Sequence, residues 1–495
     1  MSSTSINPAQ TANDVSLSPL AQATGAINDK YTQLGGEASV LGRSTTEVQP
    51  APDNVGFFQP FQSGSIYWHP TTGAHEVHGD ILGKWSSMGW ERSLLGYPVT
   101  DETTTPDGIG RFNHFQSGTI YWTPKTGAHE VHGDILGKWS SMGWERSLLG
   151  YPVTDETTTP DGIGRFNHFQ SGTIYWTPKT GAHEVHGDIL GKWSSMGWER
   201  SLLGYPVTDE TTTPDGIGRF NHFQSGTIYW TPKTGAHEVN GDILGKWSSM
   251  GWERSLLGYP VTDETTTPDG VGRFNHFQSG SIYWTPKTGA HEVNGDILGK
   301  WSSMGWERSF LGYPTSDELN TPDGAGRVSH FQHGDITWIA ATRTVTTSPA
   351  TMQFHSDIAT QDWLPMGGWV NVAVNTQGQF TFSGHMHDSG FPNIDYALAI
   401  VIMTPSGMGY TFARQNHVDG TVTLFGRNRD DDWTIPEANP QIAQNWDEVT
   451  QARLFWRLTA QDTLSAGIQG LIEDVAKDGV KALGAAGISA LIALI

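Results

Sequence analysis

Residues 110–143 read GRFNHFQSGTIYWTPKTGAHEVHGDILGKWSSMG, and two hydrophobic rhythms within them decide the fold. Residues 110–116 alternate apolar and polar side chains, the pattern of a half-buried strand. Ser117-Gly118 is set as a two-residue hairpin loop leading into a second strand over 119–123. The loop Pro124-Lys125-Thr126-Gly127 turns the chain again into a third strand over 128–132. Asp134 is placed to cap a short helix whose apolar side is Ile135, Leu136, Trp139 and Met142, and Gly143 is its C-terminal stop. The unit is a three-stranded meander followed by a short helix.

This unit recurs six times at a fixed period of 54 residues. Glycines of a Leu-Gly pair fall at Gly42, Gly96, Gly150, Gly204, Gly258 and Gly312, and tryptophans at Trp68, Trp122, Trp176, Trp230, Trp284 and Trp338. A constant period means small supersecondary units, none able to bury its apolar face alone. Copies 89–142 and 143–196 are identical, and the next differs only at Asn240. Such closeness points to recent internal duplication, so sameness between copies does not mark functional residues. An array presents one surface several times, which suits multivalent binding better than single-site catalysis.

Each unit carries Leu149-Gly150-Tyr151-Pro152, Pro160-Asp161-Gly162, Gly164-Arg165-Phe166, Gly172-Thr173-Ile174-Tyr175-Trp176 and Gly181-Ala182-His183, or their equivalents. This spaced motif resembles the LGFP repeat of actinobacterial cell-surface proteins, with Tyr where the family name has Phe. The resemblance covers about two thirds of the chain; the first copy departs from it with Arg43-Ser44. Such repeats stand beside mycolyltransferase or peptidoglycan amidase domains and hold them against cell-wall glycan. The resemblance therefore implies an extracellular or cell-surface setting and a polysaccharide partner.

Composition narrows the rest. The formal net charge is −22, from 51 acidic against 29 basic residues, which repels phosphate backbones and argues against nucleic acid. Cysteine is absent, which removes disulfides, thiolate metal sites and a Cys nucleophile. The first 25 residues are polar and small, expected to lack structure, and show no secretory signal. That sits against the surface setting implied by the resemblance.

The repeats span 26–346. Ile27, Lys30, Tyr31 and Gly35 match Ile81, Lys84, Trp85 and Gly89 one period on, so the array starts with a helix and ends with strands. Six helices and six meanders result, and a closed, propeller-like ring is expected, with the first helix covering the last meander. The fold class is therefore mainly β with short helices. Residues 347–461 read as a β-sandwich-like module with strands at 369–375, 379–384, 396–404 and 454–458. Residues 462–495 read as a helical, apolar tail shorter than a membrane span, with docking on protein or an oligomer contact favoured over membrane insertion.

With the turns assigned as above, Phe115 faces Ile120 and His114 faces Tyr121, while Trp122 meets His129 and Tyr121 meets Glu130. Phe115, Ile120, Trp122 and Val131 then form the core face. The other face carries His114, Tyr121 and Glu130 in one row, an aromatic platform beside an imidazole and a carboxylate, as a sugar site needs. The same face also suits the solvated side of an antiparallel sheet. Complete rows are His114/Tyr121/Glu130, His168/Tyr175/Glu184, His222/Tyr229/Glu238 and His276/Tyr283/Glu292; copy one has Pro60, and copy six Thr337 and Thr346. The acids Asp101, Glu102 and Asp107 suit pairing with Arg111 and turn chemistry better than a calcium loop. In the C-terminal module His385, His387 and Asp388 are weak metal candidates, with Asp430-Asp431-Asp432 and His417 as further polar groups.

No nucleophile elbow, metalloprotease helix or phosphate loop is present, and no cofactor is expected. The reading is a non-catalytic, multivalent binder of cell-wall or surface polysaccharide. Its alternatives are a repeat-targeted hydrolase or transferase acting within 350–460, and an effector or structural protein whose tail engages a membrane or partner.

Overall fold

The computed structural model describes residues 17–359, 364–421, 428–460 and 470. They fall into two compact units, the described residues up to 265 with 275–278, and the described residues of 266–274 and from 279 onward.

In the second copy, strands Arg111–Phe115, Gly118–Thr123 and Gly127–His132 form the expected meander, followed by helix Gly133–Met142 and a 3-10 turn, Trp144–Arg146. A two-residue strand, Thr103–Thr104, adds a fourth, edge position to the sheet. The helix stops where expected: Gly143 sits at φ 104° and its N–H donates to the carbonyls of Ser140 and Trp139. Its start differs. Asp134 does not cap the helix but lies inside the first turn, where its charge meets the positive end of the helix dipole.

Both turns also differ from expectation. Phe115 pairs with Gly118, so the first loop is Gln116-Ser117; Thr123 pairs with Gly127, so the second has three residues. Gly118 is inside the strand because a Cβ there would come within 2.5 Å of Leu95 and 3.0 Å of the Val131 carbonyl. It permits close approach rather than a turn.

Each helix that follows a meander joins two copies. Ile135 and Trp139 are fully buried, and the Trp139 ring meets Tyr121 of its own copy at 4.8 Å and Phe169 of the next at 5.3 Å. The helix before a sheet covers one face, the helix after it the other: Ile120 and Phe115 pack with Ile81 and Trp85, whereas Tyr121 and Val131 pack with Ile135 and Trp139. Polar struts tie copies together. Fully buried Asn113 donates to the carbonyls of Glu76 and Thr100, each at 3.0 Å. Lys30 Nζ meets Asp101 at 2.7 Å, and Lys84, Lys138 and Lys192 repeat the contact with Asp155, Asp209 and Asp263.

The expected ring is not supported. No sheet closes, and each copy completes its own four-stranded sheet. The first helix, Pro19–Gln33, seats Ala23 and Ile27 on the first meander, against Phe61, Ile66 and Trp68, rather than latching the last one. Equal numbers of helices and meanders follow from this helix-first alternation without closure. The helix also begins at Pro19, capped by Ser18, so residues 19–25 of the segment expected to lack structure are helical.

Beyond the repeats, strands Thr351–Ile358, Met366–Asn375, Gln379–Asp388 and Asp430–Ala438 form one antiparallel sheet, and Gly409–Val418, Ile394–Met403 and Arg453–Ala460 a second. One core lies between them, including Val370, Val372, Phe382, Leu398, Ile400 and Tyr410. The module joins the sixth copy through His333, whose carbonyl accepts from the Ala350 N–H at 2.9 Å and the Thr376 hydroxyl at 2.8 Å. The tail expected over 462–495 lies outside the described residues, Gly470 apart. Among the described residues no helix is long and apolar enough to cross a membrane.

Candidate functional site

The polar row expected on the sheet surface is not assembled. Tyr121 pairs with Phe112 and His129, His114 with Thr119, and Glu130 with Ile120. The one-residue slip at the second turn moves Glu130 to the opposite face from Tyr121. Neither face is freely solvated, because helices cover much of both. Tyr121, Tyr175, Tyr229 and Tyr283 are each 3% exposed, and burial pushes their hydroxyls well above the usual tyrosine value.

The glutamates are struts between copies. Glu130 accepts from the Glu156 N–H at 3.0 Å and meets His132 Nδ1 at 2.8 Å, and Glu184 does the same with Glu210 and His186. Glu238 and Glu292 keep the contact with Asn240 and Asn294, each amide donating at 2.8 Å. The single change that separates copy four is therefore a substitution that preserves its hydrogen bond.

The histidines do remain at the surface. His114 is half-buried between Phe112, at 4.8 Å between ring centres, and Trp144 at 5.5 Å. His168 lies 4.8 Å from Phe166 and 5.6 Å from Trp198, and His222 lies 4.9 Å from Phe220 and 5.5 Å from Trp252. Burial holds these imidazoles, and that of His276, below their usual value, so they are neutral at physiological pH. Buried Tyr121 forms the floor, stacked on Phe112 at 5.0 Å and nearly parallel to Trp144 at 6.2 Å.

Trp144 was not among the residues singled out from sequence, and its backbone sets it apart. It adopts φ 58°, and Trp90, Trp198, Trp252 and Trp306 adopt 59–61°. A left-handed non-glycine residue costs about 1–2 kcal/mol, and such strain clusters at functional positions. One available signal is that Gly36, with φ 59°, holds this place one period before Trp90. The next residue, Glu145, is 7% exposed, and burial pushes its carboxyl above the usual range. Its equivalent Glu91 is 6% exposed, and neither carboxylate oxygen has a hydrogen-bond partner among the described residues.

Two of the loop acids act as expected: Glu102 pairs with Arg111, and Asp107 accepts from the Ile109 N–H at 2.9 Å within its turn. Asp101 does not; it pairs instead with Lys30 of the first helix. In the C-terminal module the metal candidates diverge. His385 and His387 face outward, with Nδ1 on Asp432 at 2.9 Å and on Asp430 at 2.7 Å. Asp388 alternates inward, is fully buried, and accepts from the Gly390 N–H at 2.6 Å. His417 lies on the other sheet, paired with Asp395 at 2.7 Å. Among the described residues no group of three or more His, Asp or Glu side chains is arranged to hold a metal ion.

Six stretches, 41–93, 95–147, 149–201, 203–255, 257–309 and 311–353, match the family pattern described as the LGFP repeat. None of the curated protein sequences compared with the chain matches it. Among solved structures, the extracellular domain of a putative hybrid two-component system from B. thetaiotaomicron is similar over 83% of this chain and 49% of its own, with 9% identity and a TM-score of 0.12. Dihydro-heme d1 dehydrogenase NirN is similar over 77% of this chain and 68% of its own, also at 9% identity and a TM-score of 0.12. The fission yeast SREBP-SCAP binding domains follow, over 37% and 56%, with 9% identity and a TM-score of 0.11. The chain spans about half the length of the first of these. At such TM-scores these likenesses carry no argument about fold or function.

Proposed function

The chain belongs to the LGFP repeat family, and we propose that it is a non-catalytic, surface-associated protein that holds polysaccharide through several weak, equivalent sites. Each site is an aromatic shelf: Trp144, Phe112 and His114, with their counterparts around Trp198 and Trp252. The observation that carries this reading is the left-handed, partly exposed tryptophan repeated beside a half-buried histidine. An indole offers an apolar face for the C–H side of a sugar ring, and a neutral imidazole exchanges hydrogen bonds with hydroxyls. The tyrosine beneath positions the shelf rather than touching the sugar, and the glutamate expected beside it joins adjacent copies. Single shelves of this size bind weakly, so retention rests on several engaging one polymer. The surface setting rests on the family.

The test is a glycan array probed with the intact protein, followed by titration of the best oligosaccharide while tryptophan fluorescence is read. Saturable binding with a change in indole emission is expected. An array with no ligand among cell-wall and surface polysaccharides sinks the reading.

A further inference from the structure

Five times along the chain, a tyrosine from one copy fills a slot in the copy before it. Tyr151 donates its hydroxyl to Asp107 at 2.7 Å and lies 2.8 Å from the Thr105 hydroxyl. Tyr97, Tyr205, Tyr259 and Tyr313 donate in the same way to Asp53, Asp161, Asp215 and Asp269, at 2.6–2.7 Å. The slot is shaped for a ring. Gly110 leaves the needed space, since a Cβ there would come within 2.7 Å of the Tyr151 ring.

The sixth copy has the same slot with no tyrosine from a seventh. Its turn is built identically: the Thr321 hydroxyl and the Ala325 N–H donate to Asp323 Oδ1 at 2.6 and 3.0 Å, and the Gly326 N–H donates to Thr321 at 2.9 Å. One period after Tyr313 stands Gly367, on a strand of the C-terminal module paired with His387. What remains is an open cavity of about 370 Å3 lined by Thr321, Pro322, Asp323, Gly326, Thr337 and Ile339. Thr337 stands where the inner copies have the buried tyrosine, which widens the space.

We propose that this cavity is a binding site for a tyrosyl side chain, presented by a Leu-Gly-Tyr-Pro segment of a different polypeptide. The five filled slots show what fits: a phenol ring against the glycine with its hydroxyl on the carboxylate, a charge-assisted hydrogen bond. A second copy of this chain is a poor supplier. Its first copy carries Arg43-Ser44 at the matching place, and the tyrosines of copies two to six are engaged internally. The partner is therefore a chain whose own array opens on an unengaged tyrosine.

The experiment titrates intact protein with acetyl-Leu-Gly-Tyr-Pro-amide and its Phe counterpart, read by NMR. Saturable binding is expected, on the order of 1 mM because the tethering that aids the internal tyrosines is absent. The Phe peptide should bind at least about tenfold more weakly, having lost a hydrogen bond to a charged group. Asp323→Asn keeps an oxygen for the turn and removes the charge, so it should weaken the Tyr peptide similarly with an unchanged melting temperature. Equal binding of both peptides, parental binding by Asp323→Asn, or no saturation at several millimolar would each overturn the proposal. Self-association of the parent that Asp323→Asn abolishes would assign the cavity to a second copy and overturn it as well.

Discussion

Replacing Asp155 by Asn removes the centre of a clamp that joins elements 71 residues apart. Asp155 accepts from Lys84 Nζ and from the Glu130 N–H at 3.3 Å, and His129 Nδ1 stands 3.4 Å from it. Burial raises its carboxyl, but the adjoining His129 and Lys84 outweigh this and hold it at about 2, below the ordinary 3.8. A depression of that size corresponds to about 2.4 kcal/mol if it transfers fully into stability. The side chain is 38% exposed, and solvent screening reduces this to about 1–1.5 kcal/mol. Because the folded-state value is depressed, the contribution is complete above 3.8 and is lost as pH falls through 2. Urea denaturation should show Asp155→Asn destabilised by about 1–1.5 kcal/mol at pH 7 and close to parent near pH 2. A cycle with Lys84→Met should give a coupling of about 0.5–1 kcal/mol. Equal losses at both pH values, with no coupling, would show that packing rather than charge was removed. Asp101, Asp209 and Asp263, held at about 2 by the same partners, should behave alike.

Glu91 gives the opposite sign. Burial raises its folded-state value, so its ionised form costs stability at neutral pH, and the fold gains as pH falls toward 4.5. Glu91→Gln should therefore be more stable than the parent at pH 7, by a margin that shrinks toward pH 4, and a variant less stable at pH 7 would refute this. Tyr205→Phe removes a hydroxyl held by Asp161 and Thr159 and should lower stability by about 1.5–3 kcal/mol in the same assay; no change would mean the ring alone fills the slot. Asn240→His restores the residue of the preceding copies and keeps a donor to Glu238, so its melting temperature should match the parent within about 2 °C.

The period, the strand and helix rhythms and the helix stop at Gly143 were legible because each depends on local spacing. The register was not. A glycine after serine reads as a turn, yet Gly118 is required inside the strand by Leu95 and Val131, which are distant in sequence. The second turn is short by one residue, enough to carry Glu130 to the other face. A deeper reason is that an alternating strand suggests one wet face, whereas two helices cover this sheet on both. Tyr121 and Glu130 therefore looked presentable and are core. The divergence of His387 and Asp388 was available from alternation alone. Trp144 escaped notice because its left-handed backbone shows only when the copies are aligned with Gly36.

The shelf is tested most directly by replacing Trp144, Trp198 and Trp252 with Gly, singly and together, and measuring retention of the intact protein on insoluble cell-wall polysaccharide. Glycine accepts the left-handed backbone, and relief of strain offsets part of the lost ring contacts, so each change should cost about 1–2 kcal/mol and leave the fold intact. Retention should fall with each replacement, and the triple variant, still folded by circular dichroism, should elute unretained. A folded triple variant held as firmly as the parent would contradict the assignment of the shelf as the binding site.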